Sequence, residues 1–146
     1  MALRLPRRGI LWLSMGLMLA SATARAEGWI EYRSSEGRYR LELPDYPATS
    51  VRPPKGGSSA STEVMLARPE IAFLLEYADY SEEVFGNRTP QQLLAQLRDA
   101  SGAGGKLRSD WAIMVASFPG REYVVQLQSG VVLGTRVVVA DRRVYQ

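Results

Sequence analysis

Histidine and cysteine are both absent from this chain. Without them it lacks the commonest transition-metal ligands and the usual general base for a hydroxyl nucleophile. A disulfide framework is impossible, so stability must come from an ordinary hydrophobic core. Lipid attachment at a cysteine is excluded as well. Long hydrophobic runs are equally scarce. Ile10 to Ala20 is the longest, and it falls short of the roughly 20 residues a membrane-spanning helix needs.

That run belongs to the most distinctive stretch of the chain. Arg4, Arg7 and Arg8 precede it, and Ser21 to Ala26 closes with the small-residue pattern Ala24-Arg25-Ala26. A positive start, an apolar centre and a small-residue exit describe a secretory signal peptide. The expected cut follows Ala26, leaving 27–146 as a single soluble α+β domain in the periplasm or outside the cell. Pro6-Arg7-Arg8-Gly9-Ile10-Leu11 partly matches a twin-arginine signal, but Pro6 and Trp12 stand where polar and basic residues are usual. The general secretory route is therefore the expected one.

The signal also changes the charge balance. Four of the 18 basic residues and none of the 15 acidic ones lie in 1–26. The remainder carries 14 basic against 15 acidic residues, so the pI near 9.4 is mostly a property of the signal. No electrostatic case for nucleic acid survives this count.

Short alternating segments dominate 27–146. Trp29 to Arg33 and Arg38 to Leu43 read as strands around Ser34-Ser35-Glu36-Gly37. Tyr39, Leu41 and Leu43 face one way and Arg38, Arg40 and Glu42 the other. Pro44-Asp45-Tyr46-Pro47 ends the second strand. Residues 48–61, with Pro53-Pro54-Lys55-Gly56-Gly57-Ser58-Ser59, lack an apolar period and read as a mobile loop. Thr62 to Ala67 and Ile71 to Tyr80 follow as a strand pair, the second apolar on both faces and therefore expected to be central and covered on both sides.

Ser81 to Phe85 suits a short helical turn. A longer helix starts at Thr89, with Pro90 at its first position and Gln92 completing a capping box. Leu93, Leu94, Leu97 and Ala100 share one face, and Gly102, Gly104 and Gly105 end it. Strands are then expected over Leu107–Ala116, Arg121–Gln128, Val131–Ala140 and Arg142–Gln146. Their turns fall at Phe118-Pro119-Gly120, Ser129-Gly130 and Asp141-Arg142. Strands, helix and antiparallel meander together mean an α+β fold with a helix packed on an antiparallel sheet.

Candidate chemistry is sparse. Glu76, Asp79, Glu82 and Glu83 form the densest acidic cluster, interleaved with Tyr77 and Tyr80. Two carboxylates there would serve glycoside chemistry or an oxygen-ligand cation site if they converged. The plainer reading is that acids favour the start of a helical turn. Gly102-Ala103-Gly104-Gly105-Lys106 lacks the first glycine, the Ser or Thr and the preceding strand of a phosphate loop. Asn87-Arg88-Thr89 is a sequon whose threonine already has a capping role. The basic pairs Arg38/Arg40 and Arg142/Arg143 read as solvated strand faces and edge protection. No catalytic residue, metal ligand or cofactor is assigned. The expected partner contacts are Tyr77, Asp79, Tyr80, Glu82, Glu83 and, from the loop, Lys55, because function favours loops on rigid scaffolds.

Trp29 leads into Tyr32-Arg33-Ser34-Ser35-Glu36-Gly37-Arg38-Tyr39 and Leu41-Glu42-Leu43-Pro44 at the start, Tyr77-Ala78-Asp79-Tyr80 stands before the helix, Phe118-Pro119-Gly120-Arg121-Glu122-Tyr123 after it, and Arg142-Arg143-Val144-Tyr145-Gln146 at the close. Together these phrases resemble the secreted PsbP-like domains. The resemblance implies an α/β/α sandwich around an antiparallel sheet. It also implies a further helix beyond the last strand, which this chain would be missing. Members of that group tend to be non-enzymatic envelope or lumenal proteins that assemble with partners, and no functional residue carries over. The expected role is an exported binding or accessory module of the cell envelope, its partner an unknown protein or small ligand. The alternatives are a carboxylate enzyme using 76–83 and a binder of small apolar ligands between helix and sheet.

Overall fold

The computed structural model describes residues 28–86 and 88–146. The proposed signal at 1–26 and Asn87 of the sequon lie outside them. Nine strands and two helices follow in chain order: β1 Ile30–Ser34, β2 Tyr39–Leu43, β3 Ala48–Arg52, β4 Ser61–Ala67, β5 Ala72–Asp79, α1 Glu82–Phe85, α2 Pro90–Gly102, β6 Gly105–Val115, β7 Phe118–Leu127, β8 Val132–Ala140 and β9 Arg143–Tyr145. Strands β1 and β2 pair as a separate antiparallel hairpin. The other seven form one antiparallel sheet in the order β3-β4-β5-β9-β8-β7-β6.

This corrects the expected fold class. The described residues are 55% strand and 14% helix, a sheet-dominated fold and not an α+β sandwich of α/β/α type with helical layers on both sides. Helix α2 lies against β6, β7 and β8, on one face. The other face is covered over β5 and β9 by the β1–β2 hairpin, whose Tyr39 ring meets those of Tyr77 and Tyr145. Residues 48–61 account for part of the difference. Their first five residues form edge strand β3, paired with β4 from Ala48↔Met65 to Arg52↔Ser61. All five are exposed, and an edge strand without a buried face leaves no apolar period to read.

Helix α2 begins as its sequence requires. Thr89 Oγ1 accepts from the Gln92 amide at 3.3 Å, and Gln92 Oε1 accepts from the Thr89 amide at 2.8 Å, closing the capping box. Leu93 and Leu94 then sit in one buried cluster with Tyr123, Val125, Val137, Val139 and Val144. Tyr123 is fully buried, and its hydroxyl donates to Ser101 Oγ at 3.0 Å. Arg98 and Arg121 both reach Asp110, at 2.7 and 2.5 Å, and tie the helix to β6 and β7. Strand β5 is interior, but only its second half is covered on both faces. Tyr77 and Ala78 are each 6% exposed, whereas Leu74 is 57% exposed.

The turn expected at Phe118-Pro119-Gly120 lies instead at Ala116-Ser117, and Pro119 pairs with Met114 inside β7. The β7–β8 ladder begins only at Gly120↔Val138, so Pro119 has a strand on one side only and its missing N–H breaks no central ladder. Gly120, next in the strand, does not tolerate a side chain. A Cβ there would sit 2.7 Å from the Val137 carbonyl oxygen and 3.0 Å from Ile113 Cγ1.

Ala116 and Ser117 both have positive φ, 48° and 73°. Two left-handed residues between paired strands are the requirement of a type I′ turn, which favours Asn-Gly. Alanine and serine hold that geometry at a cost of about 1 kcal/mol each. The double substitution Ala116→Asn/Ser117→Gly is therefore expected to raise stability by roughly 1 kcal/mol in urea denaturation. A lower midpoint would show that the native turn is unstrained.

Candidate functional site

Antiparallel pairing carries two chemically distinct residues to the same end of the sheet. Asp79 ends β5 and Arg143 opens β9, and the register places them opposite each other. Their side chains form a two-bond pair, Arg143 Nε to Asp79 Oδ1 at 2.7 Å and Nη2 to Oδ2 at 2.6 Å. The remaining guanidinium nitrogen, Nη1, donates to the Glu36 carbonyl oxygen at 2.9 Å. Arg143 also lies over the Tyr77 ring, 5.3 Å from its centroid, a favourable cation–π placement. Two residues along β9, Tyr145 donates its hydroxyl to the Gly37 carbonyl at 2.8 Å. The tip of the β1–β2 hairpin is thus clamped onto the sheet by β9.

The proline- and glycine-containing segment after β3 docks at the same end. The Ser59 amide donates to the Asp79 carbonyl at 2.7 Å, the Asp79 amide to Ser59 Oγ at 3.1 Å, and the Ser81 amide to the Gly57 carbonyl at 3.1 Å. Gly57 has φ +82°, and a Cβ there would collide with Val84 of α1, so glycine is required on both counts. Ser58 folds the loop by donating from Oγ to the Lys55 carbonyl at 2.7 Å.

Of the residues expected to contact a partner, Lys55, Asp79, Glu82 and Glu83 are exposed and gather on this end. Tyr80 is half-buried, its ring 6.5 Å from that of Phe85. Burial, then the nearby charge of Glu76, raises its phenol above the ordinary tyrosine range. Tyr77 is buried beneath Tyr39 and Tyr145, so it supports the surface without forming part of it.

The acidic cluster does not converge. Period-two alternation puts Glu76 and Asp79 on opposite faces of β5, Asp79 is held by Arg143, and Glu82 and Glu83 project from α1 into solvent. Two open depressions are lined by residues 103–106 with 126–128 and by Arg33, Ser34, Ser35, Arg38, Tyr39 and Arg40, and no acid lines either. Among the described residues no group of three or more acids could hold a metal ion. The cluster around Tyr123 packs α2 against the sheet. Geometrically, this end can present charge and hydrogen-bonding groups to a partner.

Sequence reasoning missed Arg143 and the backbone of Glu36 and Gly37. The available signal was the Arg142-Arg143 pair following a turn, but its carboxylate partner is 64 residues away.

No family model matches the chain, and no curated protein does. Among solved structures it is similar to PA94, a protein of unknown function from Pseudomonas aeruginosa, at 20% identity and a TM-score of 0.38, over 80% of this chain and 78% of that one. At that score the likeness carries no argument about fold or function. No helix among the described residues is long and apolar enough to cross a membrane.

Two titrations probe the clamp. Burial first, then the neighbouring phenol of Tyr32, pushes the Tyr39 hydroxyl up to about 12. This lies above the unfolded value near 10, so neutral Tyr39 stabilises the fold fully below about pH 10. That contribution is lost as pH rises toward 12. Ultraviolet titration should show one phenol ionising near pH 12, absent from Tyr39→Phe. Its persistence in the variant would refute the assignment.

Asp79 behaves in the opposite sense. Hydrogen bonds from Arg143, then the charges of Arg143, Arg38 and Arg142, hold its carboxyl below the usual range despite an opposing desolvation contribution. Its stabilisation is complete above the unfolded value near 4 and is lost as pH falls through the lowered folded one. Asp79 is half-exposed, so solvent screening keeps the pair to about 1 kcal/mol or less. Denaturation of Asp79→Asn beside the native protein should show a deficit at pH 7 that closes below about pH 4. A deficit independent of pH would assign it to packing.

Proposed function

We propose that the chain is an exported, non-enzymatic binding module of the cell envelope, and that its contact surface is the end of the sheet bearing Lys55, Asp79, Glu82 and Glu83. The observation that carries this reading is the convergence of connecting segments around the Asp79–Arg143 pair. The hairpin tip is held by Arg143 through Glu36 and the 57–59 segment by Asp79 through Ser59. Helix α1 is joined to that segment by the Ser81 amide on the Gly57 carbonyl. Exposed charged groups on loops anchored to a rigid sheet suit recognition, and pre-organisation lowers the entropy lost on binding.

The signal-like 1–26 segment supports export. The partner is a protein or small ligand of the envelope with cationic groups for Glu82 and Glu83 and an acidic group for Lys55. Affinity capture from envelope extract should return a partner that is lost with Glu82→Lys/Glu83→Lys and weakened by salt. Equal recovery by the charge-reversed protein would remove this surface from the reading. Recovery of nothing beyond an unrelated control would count against a binding module.

A further inference from the structure

The hairpin side of the sheet is covered from β5 and β9 as far as Val138 of β8 and Gly120 of β7, which are buried, and is open toward the β6 edge. The register runs in one row from Tyr77 through Tyr145, Val138 and Gly120 to Ile113, so Trp111, Ile113 and Val115 of β6 point to this side. Phe118 lies opposite Val115, and inward of Trp111 the row continues into the Glu122–Arg136 ion pair, which bounds the apolar surface. Trp111 is 44% exposed and Val132 59%. Gly134, opposite Val124 on β8, has no atom within 4 Å of where a Cβ would stand.

The patch ends at an open edge. Among the described residues β6 pairs with β7 alone, leaving one row of backbone groups without a strand partner. The first half of this edge carries the usual protection. The β6–β7 register shifts between Leu107 and Ser109, with Arg108 as the extra residue and Lys106 beside it. Asp110 is neutralised by Arg98 and Arg121. Trp111 to Val115 carry no charge, no proline and no bulge, the features of an edge open to strand addition.

We infer that this edge joins two copies of the chain, β6 pairing antiparallel with β6 of the second copy about a two-fold axis through Ile113. Trp111 then faces Val115 of the second copy, Ala112 faces Met114, and Ile113 faces its own equivalent. Every pair is apolar, and Lys106 and Arg108 remain outside the paired segment. A foreign strand would have to supply this pattern, whereas an identical one possesses it. The pairing is isologous and closes at two copies. The opposite edge, β3, is short and carries the charge of Arg52, which opposes further growth. Five paired residues extend about 17 Å. With the flanking side chains the contact falls below about 1,200 Å² in total, the class of transient interfaces. The dimer is therefore weak and depends on concentration.

Sedimentation velocity of protein purified from its own host tests this. The expected result is a mass rising from one copy to two with concentration, and a midpoint shifted at least tenfold upward in both Trp111→Lys and Val115→Lys. These sites are exposed, and circular dichroism confirms folding. Val51→Lys, on the β3 edge, should leave the midpoint unchanged. Concentration-dependent protection of the 111–115 amides from hydrogen exchange is expected alongside. A monomer at every concentration, a dimer indifferent to both β6 variants, or assemblies beyond two copies would overturn the inference. So would a different chain co-purifying on β6.

Discussion

The sheet is continuous because three residues, Arg143 to Tyr145, pair with β5 on one side and β8 on the other. Without β9 the described strands divide into β3-β4-β5 and β6-β7-β8, each an antiparallel meander with an additional open edge. Val144 enters the buried cluster beneath α2, while Arg143 and Tyr145 point to the opposite side and fasten the hairpin tip through Glu36 and Gly37. Period-two alternation allows so short a strand to serve both faces at once. The clamp, the hairpin cover and the loop-bearing end all depend on this placement.

Cover on the two faces is offset. Helix α2 protects β6 to β8 on one side, and the β1–β2 hairpin protects β5 and β9 on the other. Two diagonal quarters of the sheet stay open, one with Met65 and Leu74, the other with Trp111, Val115 and Val132, all exposed. Scattered apolar residues are ordinary on a protein surface, but Trp111 and Val115, with Phe118 opposite Val115, stand together beside an unprotected strand edge and favour association. The charged, loop-built end and the apolar β6 edge are therefore separate surfaces with different chemistry. One suits a polar partner and the other an identical strand.

Local signals were legible in the sequence where they depend on neighbouring residues. The Thr89–Gln92 capping box needs only a four-residue span, and the β1–β2 alternation around Ser34–Gly37 reads directly as a hairpin. Edge strand β3 was illegible because a strand exposed along its length carries no apolar period. Pro119 misplaced a turn because its effect depends on where the β8 ladder begins. The acidic run 76–83 was visible as a cluster in sequence, yet alternation along β5 and the start of α1 disperse its side chains.

By itself the sequence determined what chemistry is unavailable, through the absence of histidine and cysteine, and most of the segments that become strands or helix, through periodicity and capping. The tertiary structure alone decided the layer arrangement, the burial of Tyr77 and the partner of Asp79. The physical reason is range. Capping and alternation act between residues a few positions apart, whereas the Asp79–Arg143 pair and the hairpin clamp join positions 64 and more than 100 residues apart. Such contacts exist only after β9 has inserted between β5 and β8.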